Sequence, residues 1–312
     1  MPEKIDHRTV ERIVSKYRAA NSPIEIAAIP TGKFNTSFFV KADDIDWVVR
    51  IAPPRDAVFV FYEKDMMRQE PGIHALLLEK TSVPVAAIVV YDDSGNSIDR
   101  DYIIMERLPG NPISDVACDR DQVLRQVGRH LAQAHAQTAG TYGYIGEHRP
   151  MPPQSRWVDA FHIIWNRLID GIVAVAHYEE NEGTEFRRLL DRHIQLFDRD
   201  VPASLLHMDI WAQNILVDTS STVTGIVDWD RALWGDPEIE YAVLDYCGIS
   251  EPPFWEGYGR GRDTSPEARI RQVFYLLYEL QKYIIIRQGR GNDATRARQY
   301  KQQALQIARR IM

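Results

Sequence analysis

The sequence predicts an α+β protein of two lobes, in which a strand-rich part precedes a larger helical part. The first third contains short segments rich in β-branched and aromatic residues, which are typical of strands. From about residue 110 onward, apolar residues recur at helical spacing over long stretches. Strands and helices that are segregated along a chain indicate separate layers or lobes. We therefore expect an N-terminal lobe at residues 1–107 and a helical C-terminal lobe at residues 108–312.

The strands of the first lobe are expected to form an antiparallel sheet. Polar turns at Gly32-Lys33 and Asp43-Asp44 separate the first three strands, and the turn at 92–96 joins the last two. An amphipathic helix over 7–19 precedes the strands, and a charged helix over 62–80 interrupts them. The predicted strands are 24–29, 37–41, 47–51, 83–91 and 101–105.

The second lobe begins after Pro109-Gly110, a dipeptide that punctuates the chain. Its apolar residues follow the 3.6-residue period of helices that cover a core. The predicted helices are 122–137, 157–175, 185–198, 268–288 and 294–311.

Composition excludes several classes of function. The chain has 312 residues, of which 45% are hydrophobic, so it can bury a sizeable core. Its net charge of -7 lacks the basic footprint of a nucleic-acid-binding protein. The longest apolar runs, such as 283–286, are much shorter than a membrane span, and Cys118 and Cys247 lack metal-ligand spacing. We expect a cytoplasmic protein without a nucleic-acid or membrane partner, and its oligomeric state stays open.

The segment from residue 205 to residue 230 carries the residues with the clearest chemistry. A loop, a short apolar strand, a turn and a second apolar strand display Asp209, Asn214 and Asp228. Phosphoryl transfer from ATP needs a carboxylate that orients the acceptor hydroxyl and accepts its proton, together with oxygen ligands for magnesium. Asp209 can supply the first function. Asn214 and Asp228 can supply the second, because Mg²⁺ keeps waters and phosphates as its other ligands.

The spacing of these residues supports the same chemistry. His207, Asp209 and Asn214 reproduce the H-x-D-x-x-x-x-N pattern of a kinase catalytic loop. Asp228 follows the next strand, where the magnesium-binding Asp of a kinase is expected. A single His-x-Asp pair is more often structural, and we assign His207 a structural role. The complete set at matching spacing predicts a phosphotransferase site.

The segment resembles the aminoglycoside phosphotransferase and choline kinase-like family of small-molecule kinases, which has a bilobal, protein-kinase-like fold. The matching residues are His207, Asp209, Asn214, Ile215, Leu216, Asp228, Trp229 and Gly235-Asp236-Pro237. Met208 departs from the usual Gly of that family. The resemblance implies ATP and Mg²⁺ as cofactors. It also implies a small-molecule hydroxyl acceptor, such as an aminoglycoside or other antibiotic, an amino sugar or a related alcohol.

The loop at residues 31–37 is similar to the loop that covers the nucleotide in this family, and Gly32, Asn35 and Thr36 are its expected contacts. A Gly-containing hairpin turn would explain the same residues. The loop is not a Walker A motif, because Ala27 and Phe34 occupy positions that require Gly and Ser or Thr.

Arg50 stands on the third strand at the position of the phosphate-binding Lys of kinases. A guanidinium can bind phosphate oxygens in bidentate fashion. The expected partner of Arg50 is Glu70. Pro71-Gly72 follows Glu70 directly and would break or start a helix there, so Glu63 is the alternative partner.

The segment 102–110 resembles a kinase hinge, with Met105 as gatekeeper and backbone groups of Glu106 and Leu108 facing adenine. A buried strand that ends in a Pro-Gly turn has the same pattern, and the position at the lobe boundary favours the hinge. The residues expected to contact the nucleotide are Gly32, Asn35, Thr36, Arg50, Glu70, Met105, Glu106, Leu108 and Asn214.

Two other functions fit the same fold. A protein kinase would need an activation segment, and residues 228–237 are too compact for one. A catalytically silent nucleotide-binding module would not need Asp209, Asn214 and Asp228 together. The acidic cluster at 179–185 is either a solvated loop or a docking surface for a cationic acceptor.

Overall fold

The computed structural model describes residues 5–18, 22–30, 34–144, 146 and 148–311. Within these residues, the N-terminal part of the chain forms a five-stranded antiparallel sheet. Its strands are β1 (Glu25–Ile29), β2 (Thr36–Ala42), β3 (Ile45–Ile51), β4 (Ile88–Asp92) and β5 (Tyr102–Glu106). The spatial order is β1-β2-β3-β5-β4, so β3 lies in the middle of the sheet.

The alternation of side chains along β3 and β5 gives the sheet two different faces. Val49 and Ile51 face helix α1 (His7–Val14) and join the apolar cluster that it covers. Arg50 points to the opposite face. Ile103 and Met105 of β5 also lie there and pack in a separate apolar cluster. This opposite face therefore carries the residues that the sequence assigns to nucleotide binding.

The predicted helix at 62–80 is divided in the structure. A 3-10 turn, Met66–Gln69, is followed by helix α2 (Glu70–Lys80). Pro71 lies in the first turn of α2, where its missing N–H has no intrahelical partner to lose. The Pro-Gly pair thus starts the helix and does not break it, which places Glu70 at its first position.

The predicted strand at 83–91 is only partly correct, because pairing begins at Ile88. Pro84 has no N–H to donate to a sheet. Its carbonyl instead accepts a hydrogen bond from the N–H of Ile226, at 2.8 Å. Val83 and Val85 are buried in the apolar cluster of the C-terminal part. This segment therefore fastens the sheet to the helical part of the molecule.

The C-terminal part combines helices with short strands. The helices are α3 (Arg120–His135), α4 (Trp157–Ala174), α5 (Glu180–His193), α6 (Pro237–Tyr246), α7 (Pro252–Tyr258), α8 (Pro266–Gly289) and α9 (Ala294–Ala308). One small sheet contains β6 (Asn111–Pro112), β9 (Ile215–Val217) and β10 (Val223–Ile226), and another contains β7 (Thr138–Ala139), β8 (Ala203–Leu206) and β11 (Leu233–Gly235).

Three helices of this part differ from the sequence prediction. Helix α5 begins five residues earlier than expected, because Glu179 and Glu182 form a capping box at its start. Helix α6 was not predicted. Most of its residues are buried, so it lacks the polar face that makes a helical period visible. Helix α7 was also missed, since its seven residues are too few for a periodic pattern.

The main core of the C-terminal part is aromatic. The rings of Phe161 and Phe197 stack with centroids 4.7 Å apart, and Phe161 meets Tyr275 edge to face at 5.0 Å. The indole N–H of Trp157 donates to the hydroxyl of Tyr275 at 2.8 Å.

No helix in the described ranges is long and apolar enough to cross a membrane. The lobe boundary near residue 107 stays a prediction.

Helices α3 and α7 approach each other through two glycines. A Cβ atom on Gly128 would lie 2.2 Å from the carbonyl oxygen of Phe254, and one on Gly257 would lie 2.0 Å from that of Arg125. Both obstacles are backbone atoms, which cannot move aside as a flexible side chain can. The contact between these helices therefore requires glycine at both positions.

We predict that Gly257→Ala lowers the free energy of unfolding by about 2 kcal/mol or more, because the helices must separate to admit the methyl group. Gly72→Ala is the matched control, since a Cβ at Gly72 meets no atom within 4 Å. In helix α2 that change should stabilise by up to about 1 kcal/mol. Urea unfolding measures the free energy of unfolding of both variants. Equal stability of the two variants would contradict the close contact.

Candidate active site

The candidate site lies where the Arg50 face of the sheet meets the loops that follow β8 and β10. Strand β3 contributes Arg50, the first turn of α2 contributes Glu70, and the loop after β10 contributes Asp228. The loop after β8 contributes Asp209 and Asn214. Residues far apart in sequence thus converge on one cleft.

Arg50 contacts three carboxylates within the described part of the chain. Its Nη1 lies 2.6 Å from Oε2 of Glu70. Its Nη2 lies 2.5 Å from Oδ1 of Asp228 and 3.0 Å from Oδ2 of Asp230. The side chain of Asp228 is 35% exposed, whereas those of Glu70 and Asp230 are almost fully buried. Glu70, and not Glu63, therefore pairs with Arg50.

The carboxylates around Arg50 differ in their affinity for protons. Burial, together with the charge of Asp228, raises the pKa of Glu70 to about 7 although Arg50 opposes the shift. Burial and Asp228 also raise the pKa of Asp230 well above its ordinary value. Burial acts in the same direction on Asp228, but Arg50 and Arg231 hold its pKa below the ordinary value. Asp228 is therefore the carboxylate of this group that stays ionised and partly open to solvent.

Asn35 connects the loop between β1 and β2 to the same cluster. Its Nδ2 donates to Oδ2 of Asp230 at 3.2 Å, and its Oδ1 is buried without a hydrogen-bond partner in the described residues. Thr36 is exposed and begins β2 opposite Ile51. Gly32 lies outside the described residues. The roles of Gly32, Asn35 and Thr36 in nucleotide contact stay predictions.

Asp209 and Asn214 hold each other in place. Nδ2 of Asn214 donates to the main-chain oxygen of Asp209 at 2.9 Å and approaches its Oδ2 at 3.4 Å. Since the amide nitrogen of Asn214 is engaged, its amide oxygen is the atom that it can offer to a metal ion. Oδ1 of Asp209 accepts a hydrogen bond from Nη1 of Arg231 at 3.0 Å.

The backbone before Asp209 is held by a buried carboxylate. Glu240 of α6 accepts hydrogen bonds from the N–H groups of His207 at 3.2 Å and Met208 at 2.5 Å. Met208 has a φ of +66°, in the left-handed region that favours glycine. Its side chain is buried in the main core. Met208, which stands where the family usually has Gly, is therefore a strained residue. Its hydrogen bond to Glu240 and the burial of its side chain hold it in place.

His207 has the structural role that the sequence predicted for it. Its Nδ1 accepts a hydrogen bond from the N–H of Asp209 at 3.2 Å, so its Nε2 carries the proton and donates to the carbonyl of Val227 at 2.9 Å. Burial lowers its pKa. A neutral His207 thus joins the loop of Asp209 to the strand end that leads to Asp228.

A second ion network lies on the other side of Asp209. Nη2 of Arg231 lies 3.9 Å from Oε1 of Glu63, and Arg290, directly after α8, forms a hydrogen bond to both oxygens of Glu63. The guanidinium of Arg290 also lies 4.6 Å from the ring centre of Phe34. Glu63 therefore connects α8 to the catalytic loop. It is not the alternative partner of Arg50.

Sequence reasoning missed Arg231 and Gln69 of this site. Asp230 and Arg231 belong to the polar run that follows β10, which is the only local sign of their position. Gln69 precedes α2, and its Nε2 donates to the main-chain oxygens of Asp230 at 2.5 Å and Ala232 at 3.1 Å. No sequence pattern connects Gln69 with a loop more than 160 residues away.

The expected hinge lies at the edge of the cleft. Met105 is buried and faces Val48 and Ile88 on the neighbouring strands. The N–H of Glu106 donates to the carbonyl of Ala87 at 2.9 Å, so Glu106 can offer only its carbonyl to a ligand. Leu108 packs near β10, since a Cβ on Gly225 would lie 3.0 Å from its Cδ1. Adenine contact by these residues stays a prediction.

The acidic cluster at 179–185 has internal partners. Glu179 and Glu182 cap helix α5, and Glu182 also lies 2.6 Å from Nζ of Lys301. These contacts favour the structural interpretation of the cluster over a docking surface for a cationic acceptor.

A sequence model of the phosphotransferase enzyme family (APH) matches residues 25–272, which include every described residue of this cleft except Arg290. The chain belongs to this phosphotransferase family. The family predicted from the catalytic loop is confirmed, and the chain is a small-molecule phosphotransferase.

Individual relatives of this phosphotransferase are distant. A "Probable ketoamine kinase" of Lactiplantibacillus plantarum is 22% identical over 83% of this chain and 88% of its own length. Another "Probable ketoamine kinase", from Vibrio parahaemolyticus, is 26% identical over 66% of this chain and 69% of its own. The structure of a thermostable mutant of aminoglycoside phosphotransferase APH(4)-Ia, in a ternary complex with AMP-PNP and hygromycin B, superposes with a TM-score of 0.66 at 17% identity. That match covers 96% of this chain and 97% of the other, which confirms the predicted protein-kinase-like fold.

The raised pKa of Glu70 predicts a pH dependence of stability. Its pKa rises from an ordinary value of 4.5 to about 7 in the folded protein. Its contribution to stability is therefore complete below about pH 4.5 and is lost as the pH rises through about 7. Glu70→Gln removes the titration, so between pH 5 and pH 8 the wild type should lose more stability than the variant.

Urea unfolding at several pH values measures this difference. Glu79→Gln, at an exposed position of the same helix, is the control and should run parallel to the wild type. Parallel profiles for Glu70→Gln and the wild type would show that Glu70 is not titrating in this range.

Proposed function

We propose that the protein is a cytoplasmic, ATP- and Mg²⁺-dependent kinase that transfers the γ-phosphoryl group to a hydroxyl of a small molecule. The observation that carries this proposal is the convergence of Asp209, Asn214 and Asp228 with the Arg50–Glu70 pair in one cleft. These groups supply a proton acceptor, oxygen ligands for a metal ion and a phosphate-binding cation, which are the parts that phosphoryl transfer requires.

The residues present fit a magnesium ion that arrives with the nucleotide. Asp228 is ionised and partly exposed, and Asn214 has its amide oxygen available. The described residues contain no group of three or more His, Cys, Asp and Glu side chains that could hold a metal by themselves. A site of one Asp and one Asn suits Mg²⁺, which retains waters and phosphate oxygens as ligands. When bound, the ion neutralises negative charge on the phosphates.

The roles of the chain's own residues follow from their contacts. Asp209 orients the acceptor hydroxyl and accepts its proton as the oxygen bonds to the γ-phosphorus. The bond from that phosphorus to the bridging oxygen breaks, and ADP leaves with the electron pair. Arg231 fixes one oxygen of Asp209, so the carboxylate keeps a defined direction. Arg50 turns its Nη2 from Asp228 and Asp230 to the phosphates, while Glu70 continues to hold Nη1.

The comparisons suggest which acceptors to test first. One relative, which aligns with 83% of this chain and 88% of its own length, is named a probable ketoamine kinase. The superposed structure contains hygromycin B beside AMP-PNP. We therefore propose a ketoamine as the first candidate acceptor and an aminoglycoside as the second. A coupled assay of ADP release should show Mg²⁺-dependent stimulation by at least one of them. No stimulation by either class would argue against these acceptors.

The roles of Asp209 and Asp228 can be separated by mutation. Asp209→Ala and Asp228→Ala should each lower kcat at least about a hundredfold, because each removes a group that acts on the reacting atoms. Asp228→Ala should also weaken Mg²⁺-dependent ATP binding, whereas Asp209→Ala should largely spare it. ADP-release kinetics and calorimetric titration with ATP measure the two effects.

The control for this pair is Asp121→Ala, which removes an exposed carboxylate from helix α3. It should leave kcat and ATP binding near wild type. Near-normal turnover in either Asp209→Ala or Asp228→Ala would refute the proposed roles.

A further inference from the structure

A separate cavity of about 240 Å³ opens between the end of α6, the last turns of α8 and helix α9. Its lining is Tyr246, Arg287, Arg296, Gln299, Tyr300 and Gln303. The described residues that line it include two cations and no carboxylate. Its volume is slightly below the ~300–1,000 Å³ typical of pockets for drug-sized ligands, so it suits one portion of a small metabolite.

The cavity lies close to the catalytic loop. Tyr283 stacks on Tyr300 with ring centres 5.1 Å apart and lies 5.7 Å from Tyr246. Burial raises the pKa of Tyr283 far above its ordinary value, and the charge of Asp209 adds to the shift. Burial also raises the pKa of Cys247, next to Tyr246, to about 12, and Asp209 again contributes. These two residues adjoin the tyrosines of the lining, and the charge of Glu279 acts on them more strongly than that of Asp209.

Helix α8 connects the cavity with the catalytic loop directly. Arg287 follows Tyr283 by four residues, so it lies about 6 Å further along the same face of the helix. Three residues later, Arg290 contacts Glu63, which in turn approaches Arg231 beside Asp209. The last turns of α8 therefore run past the catalytic loop and form one side of the cavity.

Three ion pairs lie in this region of the described chain: Asp209 with Arg231, Glu63 with Arg290, and Glu279 with Lys282. In the cavity, Arg296 lies 3.5 Å from Asp293. Arg287 has no ion-pair partner among the described residues, and its Nε is buried without a hydrogen bond. The guanidinium of Arg287 lines the cavity without a counterion among the described residues, so an anionic ligand there would be a suitable partner.

We propose that this cavity is the outer part of the acceptor site and that Arg287 binds a carboxylate of the acceptor there. The inference rests on the proposed function, because it places the reacting hydroxyl at Asp209 and the carboxylate of the same molecule at Arg287. Gln299 and Gln303 can donate further hydrogen bonds to the same group, as can one of the hydroxyls of Tyr246 and Tyr300, which are bonded to each other at 3.0 Å. The acceptor is then a hydroxyl compound with a carboxylate, such as the ketoamine of a free amino acid, and not a polycation.

Two probes that differ in one charge test this inference. The ketoamine of fructose with glycine carries a carboxylate, whereas the ketoamine with glycinamide has the same sugar hydroxyls and a neutral amide. The wild type should have a KM at least about tenfold lower for the glycine compound, since a hydrogen bond to a charged group is stronger than a neutral one. That KM should also rise with ionic strength. An equal KM for both probes would overturn the inference.

Variants assign the preference to Arg287. Arg287→Gln should raise KM for the glycine compound about tenfold, lower kcat far less, and leave KM for the glycinamide compound nearly unchanged. Arg287→Lys should retain part of the preference, because it keeps the charge but loses the planar fork. Arg298→Gln removes the same charge from an exposed position of α9 outside the cavity lining and is the matched control. If Arg287→Gln behaves like Arg298→Gln, the inference is wrong.

Calorimetric titration without nucleotide separates this inference from the proposed function. Tighter binding of the glycine compound, lost in Arg287→Gln, supports the cavity as a carboxylate site whether or not transfer follows. Such binding without any ATP-dependent transfer would contradict the proposed function alone. Transfer to both probes without a difference in binding, or no binding of either probe, would contradict the carboxylate site.

Discussion

The site depends on the ion pairs of Arg50. Its guanidinium, on the central strand of the sheet, holds Glu70 of α2 and the two carboxylates of the loop after β10. Charges removed from water need partners, and the loss of one partner leaves the others uncompensated. Burial and the charge of Asp228 together raise the pKa values of Glu70 and Asp230 in this cluster. When a divalent cation and the phosphates of a nucleotide bind, these side chains would exchange partners among themselves and the ligands, and no further residue would be needed.

The catalytic loop is also held in place by hydrogen bonds to the buried helix α6. Glu240 of the buried helix α6 accepts from the backbone before Asp209, and His135 supports Glu240 with a contact of 2.6 Å. This support holds Met208 in a left-handed conformation that a side chain rarely adopts. Asp209 therefore projects from a loop whose backbone is fixed by the core, which restricts its position as the proposed proton transfer requires.

Contacts between residues that are close in the sequence could be predicted, whereas contacts between residues far apart in the sequence could not. Asp209, Asn214 and Asp228 lie within twenty residues and were identified from their spacing. Glu70 was found through its place relative to Arg50, although the Pro-Gly pair left it uncertain. By contrast, Glu63 meets Arg290 across 227 residues and Asn35 meets Asp230 across 195, and no local pattern encodes either contact. Helix α6 escaped prediction because burial on all sides removes the periodic signal.

We expect Arg50 to exchange Asp228 and Asp230 for phosphate oxygens when the nucleotide and Mg²⁺ bind. A crystal structure with Mg²⁺ and a non-hydrolysable ATP analogue measures this directly. We predict oxygens of Asn214 and Asp228 at about 2.0–2.1 Å from the metal. We also predict that Arg50 contacts the phosphates while it remains paired with Glu70. A complex in which Arg50 still binds Asp228 and Asp230, and the phosphates lie elsewhere, would contradict this exchange.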